Sequence, residues 1–292
     1  MLVSASRRTD IPAFYAEWFV SRVREGWCLT RNPFRPSLLS RVSLDPAEVE
    51  AVFLWSKNPA PILPFLDELD GRGLRYLFLF TLNDYPPALE PGVPPLPERL
   101  DTFLRLSERL GARRVVWRYD PIVLSEATPP AFHLERFGAL AEALEGKTER
   151  VIVSLLDMYR KTRRRLAAAG VEVWEGEKAE REAEPLLRFM RGTAEERGME
   201  IQSCAEGSLF AGAGIPPGAC VDAGLVRRIW GISAPGGKDK GQRPACLCSP
   251  SRDIGAWDTC LHGCTYCYAV SSPERAAAAH ARHDPASPVL IP

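Results

Sequence analysis

Three cysteines near the end of the chain have the spacing that most directly suggests chemistry. Residues 259–269 read TCLHGCTYCYA, which places Cys260, Cys264 and Cys267 in a C-x3-C-x2-C pattern. Zinc knuckles usually bring their cysteines in C-x2-C pairs, with two pairs to one metal. Three thiolates from one short loop can instead bind three irons of a 4Fe–4S cluster, because such clusters are held by closely spaced cysteines. The fourth iron would then be open to another ligand.

Four further cysteines precede this loop, and the sequence allows more than one division of them among metal sites. Cys204, Cys220, Cys246 and Cys248 together could hold a second, closed cluster. Alternatively, Cys246 or Cys248 supplies a fourth ligand to the first cluster, or this pair binds a structural zinc with part of the triplet. Buried thiols that bind no metal are the remaining interpretation. Cys204 could also donate a hydrogen atom to a radical, and the isolated Cys28 is expected to be a small buried apolar residue.

Composition and charge restrict the class of protein. The 292 residues are 46% hydrophobic and 25% charged, which is typical of a globular protein. Lys+Arg and Asp+Glu each total 37, whereas proteins that bind double-stranded nucleic acid usually have a basic excess. We expect a cytoplasmic protein without membrane contact, because no apolar run suits a membrane span and the first residues do not form a signal peptide. In that reducing compartment, cysteines indicate metal or redox chemistry more than disulfides.

The order of the predicted elements indicates the fold class. Short apolar runs alternate with helical patterns, so strands are predicted over 2–6, 51–55, 76–82, 114–118, 150–156 and 200–204. Nearly continuous apolar strands, each followed by a helix, indicate a parallel sheet covered on both faces. We therefore predict an α/β fold in which residues 1–207 form a TIM-like (β/α) barrel or a partial six-stranded barrel. Residues 208–292 would form a cysteine-rich iron–sulfur extension packed on the barrel mouth.

Polar side chains follow every predicted strand, at the ends where parallel barrels carry their active sites. The polar residues of any single loop can be explained by solvation alone. Polar residues in six successive loops, however, favour a functional site at this end of the strands. The candidate catalytic residues are Lys57, Arg118, Asp120, Asp157 and Glu206. The candidates for cofactor binding are Arg7, Arg8, Asp10 and Asn58. The two arginines and the loop 238–243 suit anionic groups such as phosphate, because guanidinium groups bind them in a bidentate manner.

Several motifs of the chain resemble a known family. Over essentially its full length, the chain resembles a bacterial family catalogued only as a domain of unknown function. The segments that carry this resemblance, besides the three-cysteine loop, are Ser4–Pro12, Trp55–Pro59, Trp117–Pro121, Cys204–Glu206 and Ser251–Gly255. The resemblance implies a family but no established activity.

A looser resemblance is to radical S-adenosylmethionine (SAM) enzymes of the spore photoproduct lyase type. Their cluster motif also runs into Tyr-Cys-Tyr, as at Tyr266–Tyr268, and they also carry Ser/Thr-Lys and Arg-aromatic-Asp-Pro at strand ends, as at Ser56–Lys57 and Arg118–Pro121. This similarity implies a partial barrel of six β-α units, with SAM chelating the open iron. Here the cluster loop comes last, and a circular permutation would bring it to the same place. No glycine-rich SAM motif follows the second strand.

Three functional hypotheses follow. The first is a radical-SAM-like enzyme with one or two 4Fe–4S clusters, which acts on an anionic substrate such as a nucleotide or nucleic acid. SAM would be its cofactor, and a ferredoxin or flavodoxin would donate electrons. The second is a SAM-independent iron–sulfur protein that acts on nucleic acid or in electron transfer. The third is a barrel hydrolase or lyase that uses Asp10, Asp120, Asp157 and Glu206, with zinc as a structural ion, although no H-E-x-x-H motif is present.

Overall fold

Strands and helices alternate along most of the chain in a computed structural model that describes residues 1–32, 35 and 37–292. In chain order the elements are β1 Leu2–Ala5, α1 Ile11–Phe14, α2 Ala16–Glu25, β2 Trp27–Arg31, β3 Leu39–Ser43, β4 Ala51–Ser56, α3 Leu66–Gly71, β5 Tyr76–Thr81, α4 Leu96–Leu110, β6 Val115–Ile122, α5 Pro130–Ala143, β7 Arg150–Leu155, α6 Arg160–Ala168, α7 Gly176–Glu196, β8 Glu200–Cys204, α8 Ser208–Gly212, β9 Pro217–Gly218, α9 Ala223–Trp230, β10 Ser251–Asp253 and α10 Pro273–His280. Short 3₁₀ helices cover Ala60–Phe65 and Ala112–Arg114. None of the helices in the described residues combines the length and the apolar character that crossing a bilayer requires.

Eight of the strands form one parallel sheet that curls into a half-barrel. Its strand order is β10-β1-β4-β5-β6-β7-β8-β9. The six strands predicted from the sequence are the six consecutive central strands of this sheet. The segment after residue 207 adds one short strand at each edge, since β9 pairs with β8 and β10 pairs with β1. The predicted α/β class and the curled parallel sheet are confirmed, whereas the iron–sulfur character of residues 208–292 stays a prediction.

The central strands are apolar on both sides because both faces of the sheet are covered. Every residue of β4 and β5 is buried. Val52 and Leu54 point into the larger core, which includes residues of α2, α4, α5 and α7. Phe53 and Trp55 point to the opposite face, where α9 and the segment that carries Cys246 and Cys248 pack. The parallel strands therefore bring their carboxyl ends to one edge, and residues after 207 fill one face beside it.

Three local features go beyond the predicted alternation of strands and helices. The helical segment after β1 is interrupted at Tyr15, which separates α1 from α2. The helical segment after β4 starts as a 3₁₀ helix, in which Pro64 lacks the N–H group that an interior position of an α-helix requires. The antiparallel hairpin of β2 and β3 was not predicted, since its half-exposed strands lack a continuous apolar run.

Candidate functional site

A cavity of about 330 Å³ lies at the carboxyl ends of the parallel strands. All eight cysteines lie within the described residues and are free thiols, and seven of them line this cavity. The seven are Cys204, Cys220, Cys246, Cys248, Cys260, Cys264 and Cys267. Only Cys28 lies elsewhere, buried in the larger core. Thiols that are far apart in the sequence therefore share one cavity, although no disulfide joins them.

Most of the predicted polar residues also line the cavity, with two exceptions. Those that line it are Arg7, Arg8, Asp10, Lys57, Arg118, Asp120 and Asp157. Asn58 is not part of the lining; its side chain accepts a bond from the backbone N–H of Ala60 at 3.4 Å. Glu206 is also outside the lining and accepts a hydrogen bond from the backbone N–H of Leu155 at 2.8 Å. Burial raises the pKa of Glu206 to about 7.

The three-cysteine loop is held from one side by Arg165 of α6. Its guanidinium donates hydrogen bonds to the carbonyl oxygens of Cys264 at 2.7 Å, Val270 at 2.9 Å and Gly263 at 3.0 Å. A longer bond reaches the carbonyl of Cys267 at 3.4 Å. Hydrogen bonds from a charged donor are the stronger ones. One side chain thus positions the backbone around two of the three thiols.

The other side of the loop is docked by a buried pair of Asp10 and His262. Asp10 Oδ2 lies 2.7 Å from His262 Nε2 and also accepts the backbone N–H of Lys57 at 2.7 Å. His262 is 3% exposed, so it packs inside the protein. The backbone of the loop also approaches Gly92 closely, because a Cβ at that position would lie 2.8 Å from the carbonyl oxygen of His262. The bonds that Asp10 makes to His262 and to Lys57 therefore join the ends of β1 and β4 to the cysteine loop.

A second buried contact involves Lys57, Glu90 and Tyr266. Lys57 Nζ lies 2.7 Å from Glu90 Oε1, and the Tyr266 hydroxyl donates to the same oxygen. The side chains of Lys57 and Glu90 are only 14% and 1% exposed. The Lys57 ammonium therefore supports the loop, since Tyr266 lies between Cys264 and Cys267 in the sequence. Burial raises the pKa of Cys264 to about 12, and the charge of Lys57 acts in the opposite direction.

The predicted carboxylates of the cavity are already engaged by neighbouring side chains. Asp120 accepts hydrogen bonds from Arg118 and from the hydroxyl of Ser154. Asp157 accepts one from Arg243, which lies in the loop 238–243. The Arg118 guanidinium also stacks over Trp55, 4.7 Å from the ring centroid. These carboxylates neutralise arginines at the cavity wall, and Ser154 was not predicted.

The other four cysteines come from separate segments. Cys204 ends β8, Cys220 follows β9, and Cys246 and Cys248 precede β10. The sulfur atoms of Cys204 and Cys220 are 3.3 Å apart. Within residues 1–32, 35 and 37–292, no three His, Cys, Asp or Glu side chains are arranged to hold a single metal ion. An iron–sulfur cluster differs from a single ion because its thiolates bind separate irons.

Three partly exposed aromatic residues and two cations lie together beside the cavity, and Arg8, Tyr159 and Tyr268 of this group line it. Trp257, Tyr268 and Tyr159 are each about two-fifths exposed. The ring centroids of Trp257 and Tyr268 are 6.0 Å apart, and those of Tyr159 and Tyr268 are 6.2 Å apart. Arg8 and Lys161 lie over the face of Trp257, at 5.6 and 5.3 Å from its centroid. We call these five residues the aromatic rim.

Several residues that build the site were not predicted as functional. Glu90 lies in a proline-rich loop, and nothing in that segment indicates a buried ion pair. Arg165 is one of three consecutive arginines that the sequence alone does not distinguish. Asp253 accepts bonds from the Ser6 hydroxyl at 2.8 Å and from the backbone N–H of Arg7 at 2.9 Å, and so fixes the turn after β1. Asp253 belongs to Ser251–Gly255, one of the segments that carry the family resemblance, but no role was predicted for it.

Comparison with known proteins leads to a family but not to an activity. No curated protein matches the chain. A family profile matches residues 2–269, which include every residue that lines the cavity. The predicted resemblance to a family without an assigned function is thereby confirmed, whereas the similarity to radical SAM enzymes stays a prediction. The chain belongs to the family described as Domain of unknown function (DUF1848).

Proposed function

We propose that this protein is an iron–sulfur enzyme of radical-SAM-like type, with a cluster bound by Cys260, Cys264 and Cys267. The observation that carries the proposal is that these three free thiols face one cavity at the carboxyl ends of a curled parallel sheet. The donor set fits, because soft thiolates are the ligands that iron–sulfur clusters prefer. The backbone N–H of Ala269 also donates to Cys267 Sγ at 3.3 Å, and such hydrogen bonds tune the potential of a cluster.

The residues of the chain would orient the reactants and exclude water. The bound cluster, together with SAM, would supply one-electron chemistry, with a ferredoxin or flavodoxin as the electron donor. Arg165 and Asp10 hold the loop in place, and Lys57 is committed to Glu90 rather than free in the cavity. Arg118, Asp120 and the rest of the wall present polar groups to bound SAM or substrate. Enclosure by the strands and the loop would protect reactive species from water.

The proposed substrate is anionic, and a nucleotide or nucleic acid fits the rim best. Arg7, Arg8 and Arg243 all line the cavity and can bind phosphate groups. The aromatic rim offers partly exposed aromatic rings, and nucleobases stack on such rings with little regard to sequence. Proteins that bind single-stranded nucleic acids combine cations with aromatic side chains in this way.

The two other hypotheses receive less support from these contacts. A hydrolase would need a carboxylate free to act as a base, whereas Asp10, Asp120 and Asp157 are held by neighbouring donors and Glu206 lies outside the cavity lining. A SAM-independent iron–sulfur protein would use the same thiols. It differs from the proposal only in the ligand of the fourth iron, which spectroscopy can identify.

The first test is electron paramagnetic resonance of anaerobically purified, dithionite-reduced protein, with and without SAM. We expect a reduced-cluster signal that shifts when SAM is added, because an open iron changes its ligands. Substituting Cys264→Ala should remove the SAM-responsive signal. A signal that does not respond to SAM would favour the SAM-independent alternative, and the absence of iron from anaerobic preparations would contradict the proposal.

Substitution at the aromatic rim tests the substrate class. Trp257→Ala should weaken binding of a labelled single-stranded oligonucleotide by about 5- to 150-fold in fluorescence anisotropy, since a stacked base contributes about 1–3 kcal/mol. Lys161→Ala should cause a smaller loss that diminishes at high salt. The matched control is Lys178→Ala, because Lys178 lies over Trp174 at 3.8 Å and neither residue belongs to the aromatic rim. Equal affinities for the Trp257→Ala variant and the wild type would rule out the rim as a binding surface.

A further inference from the structure

We propose that Cys204, Cys220, Cys246 and Cys248 form a second metal centre, a closed site of four thiolates beside the three-cysteine loop. This inference goes beyond the proposed function, which requires only the loop. Four thiolates supply every protein ligand that an iron–sulfur cluster needs, so the site would leave no position for SAM.

Contacts between the sulfur atoms carry the first part of the argument. Cys204 and Cys220 are in contact at 3.3 Å, and Cys248 lies beside both Cys220 and Cys246. Cys220, Cys246 and Cys248 are buried, with at most 6% of each residue exposed. Four thiols from three segments thus form one continuous group without a disulfide. Burial of one free cysteine is ordinary, but four linked by a chain of contacts at a cavity wall indicate a ligand set.

The positive charges around the four thiols are the second observation that supports a metal centre. Arg7 faces Cys248, and Arg118 lies near Cys220 and Cys204. Both guanidinium groups stack over Trp55, at 5.4 and 4.7 Å from its centroid. Each also has a buried nitrogen, Nη2 of Arg7 and Nε of Arg118, without a hydrogen-bond partner in the described part of the chain. Arg118 already pairs with Asp120, and both cations would in addition face a four-thiolate centre, whose net charge is negative.

Arg7 connects the four thiols to the three-cysteine loop. Its side chain faces Cys248, and its carbonyl accepts a hydrogen bond from Tyr268 at 2.6 Å. The two proposed centres are therefore neighbours that share Arg7 between them.

Metal analysis of two multiple-cysteine variants tests the proposal. In the variant Cys260→Ala/Cys264→Ala/Cys267→Ala, the metal of the four-thiolate site should remain after anaerobic purification. It would amount to about two to four irons per chain with acid-labile sulfide. In Cys246→Ser/Cys248→Ser this metal should be lost, while the SAM-responsive signal of the loop persists.

Two outcomes would overturn the proposal. One is a folded three-cysteine variant, judged by circular dichroism, that holds no iron. The other is a metal content in Cys246→Ser/Cys248→Ser equal to that of the wild type. Failure of the proposed function would be seen in a different experiment, namely a wild-type reduced-cluster signal that does not respond to SAM. That result would not change the amount of metal that the three-cysteine variant retains.

A single substitution that keeps all four thiols tests the proposal even if the multiple-cysteine variants do not fold. Arg7→Gln leaves all four thiols in place but removes one counter-charge, so a chelator should extract the second metal several-fold faster than from the wild type. Arg252→Gln is the matched control, because Arg252 is an exposed residue of β10. Equal extraction rates for the two variants would contradict the role given to Arg7.

Discussion

Lys57→Met should lower the free energy of unfolding by about 3–5 kcal/mol, because it leaves the buried carboxylate of Glu90 without its cation. Glu90 Oε2 already has no hydrogen-bond partner among the described residues, so Lys57 and Tyr266 provide the compensation through Oε1. Urea denaturation at neutral pH measures the loss. The double variant Lys57→Met/Glu90→Gln should lose less than Lys57→Met alone, since the uncompensated charge is then removed.

The matched control is Lys178→Met, which breaks an exposed pair with Glu126. Exposed ion pairs contribute at most about 1 kcal/mol, so this variant should unfold almost as the wild type does. A similar loss for Lys57→Met and Lys178→Met would show that burial of the Lys57–Glu90 pair has no energetic consequence.

The same substitution should change how stability depends on pH. Burial acts to raise the pKa of Glu90, but Lys57, Arg99 and Tyr266 outweigh it, so the pKa lies below its ordinary value. Such a carboxylate stabilises the fold above its unfolded pKa, and the stabilisation is lost as the pH falls through the folded pKa. Without Lys57, the pKa of Glu90 should rise, so acidification should favour the folded variant. The stability difference between wild type and variant should therefore narrow from about pH 7 to about pH 4.

Arg165→Met should accelerate loss of the proposed loop-bound cluster to a chelator by at least about tenfold. Each hydrogen bond from a charged donor contributes about 1.5–3 kcal/mol, and Arg165 makes three of 3.0 Å or shorter to the loop carbonyls. Losing them should let the loop open and expose its thiols. Iron release followed by absorbance, together with the reduced-cluster signal, measures the effect.

Arg164→Met serves as the comparison for this variant. Arg164 is the preceding residue of α6 and is exposed, so its substitution preserves helix propensity and changes the net charge equally. Iron release at the same rate from both variants would mean that the contacts of Arg165 do not hold the loop.

The half-barrel was predictable because the signals for it are local. Each central strand is a short apolar run, and each is followed by a helical pattern, so neighbouring residues suffice to identify the unit. The ends of parallel strands meet at one edge, which is why Arg7, Asp10 and Arg118 were predicted to lie together. Asn58 and Glu206 were predicted on the same ground but lie outside the cavity lining. The direction of a side chain in a tight turn depends on contacts that strand periodicity does not contain.

The sequence alone determined the six central strands and the three-cysteine motif, because each of these is encoded within a few neighbouring residues. Only the tertiary structure decided which groups meet across the cavity. Arg165 lies about a hundred residues from the loop that it holds, and Glu90 lies 176 residues from Tyr266. Cys204 and Cys248 belong to one group because the chain between β9 and β10 packs on one face of the curled sheet while it passes from one edge to the other. Such pairings depend on strand order and packing, which no local pattern of residues specifies.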